Sequence, residues 1–218
     1  APARPPIRWP EVSIGVALNL VPIAGVLFWN WSPFALIFLY WLENVVIGVR
    51  TLLSMLAAGM LQNVVKAVGA VGLGAFFTFH YGMFCFVHGM FVLLMFGGMT
   101  EAMQADNAFD LAGVAHTLFA QQTNLAIGFA AIVLWQAVIL VLFVARGEAK
   151  TASLSELMGS PYGRIMILHF TIIIGGMILM ALRWPIAGVV MLALFKMFTD
   201  IAPALGIKPR GKKAPAMT

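Results

Sequence analysis

Six ionisable side chains interrupt stretches that are otherwise apolar: Glu43, His80, His88, His169, Lys196 and Asp200, accompanied by Asn19, Tyr40 and Asn44. Within a hydrocarbon layer such groups cost several kcal/mol and persist where they have a partner, a cavity or a task. Imidazole and carboxylate together suit Zn, Fe or Mn, and two histidines with one carboxylate leave coordination positions open for water, oxygen or substrate. Counting about 1.5 Å of rise per residue from the ends of the apolar stretches sorts the groups into layers. His80, His169 and Asp200 fall in one layer, about 6 Å to one side of the midplane on that rise. Glu43 and Lys196 fall near the midplane, with His88 and Tyr40 beyond it. The spacing therefore predicts His80, His169 and Asp200 as metal ligands, Glu43 as a catalytic base or further ligand, and His88 and Tyr40 as a separate cofactor-binding level. His80 and His88 do not share an ion, because eight residues separate them by about 12 Å along a helix.

The same histidines allow a second chemistry, in which His80 or His88 pairs with His169 across a b-type haem. Aromatics (Phe76, Phe77, Phe79, Phe84) and glycines (Gly72, Gly74, Gly82, Gly89) on that stretch would admit a flat macrocycle, and they equally suit plain helix packing in lipid. A purely structural use is also open: Glu43 paired with Lys196, and histidines and asparagines bridging helices. Other familiar chemistries have no counterpart here. The chain lacks a Gly-x-Ser-x-Gly nucleophile, a His-Glu-x-x-His helix, a Gly-rich phosphate loop and paired cysteines. Cys85, the single cysteine, reads as a packing residue, His116 as a solvated loop histidine, and Ser153-x-x-Glu156 as the capping box of a short helix.

The elements that must position these groups follow from composition. Of 218 residues, 62% are apolar and 10% charged, and the mean hydropathy is +0.98. A soluble domain carries about a quarter charged residues, so the apolar surplus faces lipid. Crossing about 30 Å of hydrocarbon takes about 20 residues. Six stretches qualify: 12–29, 34–54, 72–97, 125–144, 165–182 and 186–205. The expected fold is all-α, a single membrane domain over 1–218 with six transmembrane helices. The third stretch reads as one long tilted helix, and residues 111–119 as a short interfacial helix. Asn30-Trp31-Ser32-Pro33 and Arg183-Trp184-Pro185 mark tight interfacial turns.

Basic residues concentrate on cytoplasmic loops. With both termini inside, Arg4, Arg8, Arg50, Lys66, Arg146, Lys150, Arg164, Lys208, Arg210, Lys212 and Lys213 share the cytoplasmic side, 11 of the 13 basic residues. The first apolar run lacks a small-residue cleavage site and reads as a retained signal-anchor. The basic tail over 206–218, which raises the sequence pI to about 9.7, suits anionic headgroups. Nothing in the chain suggests a folded module for holding nucleic acid.

Tyr40-Trp41-Leu42-Glu43-Asn44-Val45-Val46-Ile47-Gly48, the run from Phe77 to Phe91 with its two histidines, and Arg164 to Gly176 with His169 resemble an uncharacterised family of bacterial membrane proteins, a domain of unknown function. The resemblance covers most of the chain. It implies that Glu43, His80, His88, His169 and Asp200 belong to one shared pattern, in a multi-pass protein of the bacterial inner membrane, and it implies no activity. A further histidine that the pattern carries after the last-helix Asp is missing, with Ala204 nearby. The expected function is a metal-dependent enzyme or redox protein acting on a lipophilic substrate. The alternatives are an accessory subunit of a larger membrane complex or homo-oligomer, to which the 21 glycines and 14 methionines would suit close contacts, and a small proton-coupled transporter.

Overall fold

The computed structural model describes residues 33–96, 111–121 and 123–163, together with Gly25, Phe28, Ile165, Met166, His169 and Met197. Every regular element among them is helical. They are α1 (Pro33–Gln62), α2 (Val64–Phe96), α3 (Leu111–Gln121), α4 (Thr123–Ala145), a 3-10 turn (Glu148–Lys150) and α5 (Leu154–Gly159). Helices satisfy their own backbone polar groups, as a chain in lipid requires. Three of the described helices, α1, α2 and α4, are long and apolar enough to cross a membrane. The stretches expected over 12–29, 165–182 and 186–205 lie almost wholly outside the described residues.

Two boundaries differ from the sequence expectation. The second stretch continues from Ser54 to Gln62, and the third begins at Val64 rather than Gly72, so the loop between them shrinks to Asn63. Hydropathy marks where a helix leaves lipid; helix-forming residues such as Met55, Leu56, Ala57 and Ala58 carry it further. At 30 and 33 residues, α1 and α2 are roughly 45–50 Å long, which exceeds the hydrocarbon thickness and requires tilt or protrusion. Asn63 closes the hairpin as an N-cap: its Oδ1 accepts from the Lys66 N–H at 2.9 Å, and its carbonyl accepts from the Ala67 N–H at 2.9 Å.

Small residues set how closely α1 and α2 approach. A Cβ at Gly59 would stand 2.5 Å from the Ala70 Cβ and 2.8 Å from the Lys66 carbonyl, so only glycine lets the backbones meet beside the turn. Farther along, Leu52 covers Gly74, Tyr81 covers Gly48 and Trp41 covers Gly89. These pairs recede together from Asn63 along both helices, which fixes the antiparallel register.

Buried apolar side chains form two clusters. One gathers Phe34 to Trp41 of α1 with Val92, Leu93 and Leu125, and the other gathers Met55, Ala58, Ala70, Phe77, Tyr81, Cys85, Ala149, Leu154 and Ile165. Helix α4 lies along α1 through Phe129 and Ile132 at the first cluster and Phe143 at the second. Its other face is bare: Ile127, Leu134 and Val141, seven residues apart, are each about two-thirds exposed, as suits lipid contact.

Residues 146–163 knit the α4 end to the hairpin corner. Gln62 Nε2 donates to the Ala149 and Ala152 carbonyls at 3.0 and 2.9 Å. Helix α5 starts at the expected place after Ser153, but Ser153 makes no side-chain cap; its Oγ meets Ser155 Oγ at 3.0 Å instead.

Candidate functional site: a histidine pair

Local geometry builds the site from α1 and α2. Trp41 donates its indole N–H to the Cys85 carbonyl at 2.7 Å, and the ring lies on the Gly89 backbone, where a Cβ would come within 2.8 Å of it. Tyr81 donates its hydroxyl to the Asn44 carbonyl at 3.1 Å, and Asn44 Nδ2 returns to the Tyr40 carbonyl at 3.0 Å. These contacts hold the α2 face that carries Tyr81, Cys85 and His88 against α1.

On that face His88 is 1% exposed, and neither of its ring nitrogens has a hydrogen-bond partner. A buried imidazole left in this state is costly and calls for a ligand or water. The residue beside it is His169: the ring centres are 5.2 Å apart at 89°, and Phe91 closes on His169 edge-on at 5.7 Å.

The layering expected from sequence groups His169 with His80; the structure sets it against His88. The reason is register: Tyr162 already stands beside His80, and the seven residues from Tyr162 to His169 match the eight from His80 to His88. His80 is instead exposed and bound to Tyr162, three residues before the fifth stretch, with Nδ1 2.8 Å from the hydroxyl. Its ring stacks on Phe76 at 5.3 Å and meets Phe84 edge-on at 5.2 Å. Burial raises the Tyr162 phenol above its ordinary value, and the nearby Cys85 thiol adds to the rise, so a protonated hydroxyl faces His80.

The other expected site residues divide. Tyr40 is buried one residue before Trp41, and so stands at the level of Gly89 and His88. Glu43 is half-buried, but it lies about 200° around α1 from Trp41, so it projects away from the α2 face. Asp200 and Lys196 lie outside the described residues. Among the described residues, no three His, Cys, Asp or Glu side chains are grouped closely enough to hold a metal ion.

Sequence reasoning passed over three polar residues that the structure brings forward. Tyr162 lies just before the fifth apolar stretch, Thr51 near the end of the second beside Arg50, and Gln136 in the fourth. Gln136 carried a usable signal, as the one amide within 125–144. It is 7% exposed with an unpartnered Oε1, and Thr51, 2% exposed, has an unpartnered hydroxyl.

The model of a family of unknown function, DUF6498, matches residues 2–217. No curated protein and no solved structure matches the chain.

Proposed function

The chain belongs to that family of unknown function, and from this premise we propose that it is a multi-pass membrane protein in which His88 and His169 bind a divalent metal ion within the bilayer. Asp200 is the carboxylate proposed to complete the coordination. The full proposed architecture has six spans, with both termini on the cytoplasmic side of the inner membrane.

One observation carries the reading: the His88 imidazole is sealed from solvent with both nitrogens unbonded, beside a second imidazole at a ring-centre distance of 5.2 Å. A metal–nitrogen bond of about 2.0–2.1 Å puts a ligating ring centre about 3.2 Å from the ion, so two ligands at a tetrahedral angle have centres about 5.2 Å apart. Opposite axial ligands of a haem would need about 6.4 Å on the same bond length. The spacing supports a non-haem ion. A site with two imidazoles and at most one carboxylate keeps positions open for water or substrate, which suits a metal-dependent enzyme or redox protein served from the lipid.

The test is elemental analysis of the full-length protein purified in nanodiscs. About one Zn, Fe or Mn per chain is expected, lost in His88→Ala and in His169→Ala and retained in His80→Ala. A metal-free parent protein, or an unchanged metal content in both loss variants, would refute the site. A Soret band would replace it with haem.

A further inference from the structure

Between the two apolar clusters, the inward side of α1 turns polar. Asn44 and Thr51 are 1% and 2% exposed, and Gln136 of α4 is 7% exposed. Each presents a buried side-chain oxygen without a hydrogen-bond partner: Asn44 Oδ1, Thr51 Oγ1 and Gln136 Oε1. The three share one zone. Asn44 and Thr51 are seven residues apart, hence on one face of α1 and about 10 Å apart along it. Gln136 lies on the stripe of α4 that packs on α1, between Ile132 at the first cluster and Phe143 at the second. The zone continues to the histidine pair, because Tyr81 bonds the Asn44 backbone and His88 lies two helical turns beyond Tyr81 on the same face of α2.

In a bilayer interior an unbonded polar group has no bulk water to turn to, and its cost is correspondingly high. Three oxygens in one zone, with His88 beyond them, ask for a small donor that also accepts. Water fits, since it binds where two to four polar partners converge. A bare cation fits less well, because the three oxygens carry no formal charge to offset its dehydration.

We propose that Asn44, Thr51 and Gln136 hold a file of internal water molecules that extends to His88, so that the buried imidazole is in contact with water from the hairpin-corner side of the bundle. About three or four molecules at hydrogen-bonding distance cover the interval. The water positions stand without the metal ion; only their use by the His88 and His169 pair rests on the reading above.

Radiolytic hydroxyl-radical footprinting of the full chain in nanodiscs tests this, because radicals born from bound water oxidise the side chains beside it. Tyr81 and Met55, both buried, are expected to label at least several-fold faster than buried Phe38, and the double variant Thr51→Val, Gln136→Leu is expected to remove that excess while exposed Met60 labels as before. Tyr81 and Met55 labelling no faster than Phe38, or an excess that survives in the double variant, would overturn the proposal. Thermal melting of Thr51→Val gives a second check, since removing a water-bonded hydroxyl lowers Tm and removing an orphaned one raises it. A Tm at or above the parent's would count against the water, as would a parent Tm raised by sodium or potassium over choline, which would put a cation in its place. Metal content in Thr51→Val is expected to match the parent, so failure of the water file and failure of the metal site read out separately.

Discussion

Gly89→Ala is the substitution from which the structure makes the sharpest demand. The added Cβ would lie 2.8 Å from Trp41 Cε2, 2.9 Å from Nε1 and 3.0 Å from Cζ2. Ordinary carbon contact needs about 3.5–4.0 Å, so the indole must withdraw by roughly 0.7 Å or more on that scale. The bond from Nε1 to the Cys85 carbonyl, now 2.7 Å, then stretches past the useful range. Overpacking costs about 1–3 kcal/mol, and an interhelical hydrogen bond in a membrane protein contributes about 0.6 kcal/mol on average. Against this, alanine in a helix gains about 0.8–1 kcal/mol over glycine. The expected net is a destabilisation of about 1–2 kcal/mol. The assay is a double-mutant cycle with Trp41→Phe, read by unfolding in detergent, because phenylalanine removes the N–H and much of the clashing edge. Coupling of about 1 kcal/mol or more between the sites is expected. A Gly89→Ala protein as stable as its parent, with no coupling to residue 41, would refute this account of how α1 and α2 are locked.

Gly59→Leu should be worse, since its Cβ meets the Ala70 Cβ, the Lys66 carbonyl and the Ala67 Cα, none of which can swing aside; a loss of at least about 2 kcal/mol, or failure to insert, is the expected result in a folding and expression assay. Tyr162→Phe removes the hydroxyl that holds His80 Nδ1 and should cost about 0.5–1.5 kcal/mol in a thermal melt, with metal content unchanged. Gln62→Ala abandons two carbonyls, Ala149 and Ala152. It should cost about 1–2 kcal/mol and speed limited proteolysis within 146–152. Cysteines placed at Asn63 and Glu148 in a Cys85→Ser background should react with an impermeant thiol reagent from the same face of the membrane, because Gln62 bonds the 3-10 turn at Ala149; labelling from opposite faces would contradict the packing.

Hydropathy made the helical character of the chain legible, along with the reading of α2 as one long helix, and the Ser153-x-x-Glu156 pattern marked the short helix that follows it. Hydropathy is a measure of what a helix contacts, not of where the helix ends, and so it missed the one-residue corner at Asn63. Depth counting meets a limit at the site as well. Grouping His169 with His80 assumes that residues 72 and 165 enter the hydrocarbon together; Tyr162 already stands beside His80, so His169, seven residues on, meets His88. Glu43 illustrates a second limit. Its depth was readable, but the face it takes depends on which side of α1 meets α2, and small residues such as Gly48 and Gly59 decide that only once the partner helix is known. The resemblance to a family of unknown function agrees with the family model that spans residues 2–217.

The corner at Asn63 also governs which changes of length the molecule tolerates. One extra residue there would rotate α2 by about 100° against α1, carrying Gly74, Tyr81 and Gly89 off their partners together and His88 out of the interior. No surrounding slack exists to absorb the turn, since the capping bonds to Lys66 and Ala67 begin at once. Insertions and deletions are therefore barred from this hairpin. Tags, fusion points and split sites belong elsewhere in the chain.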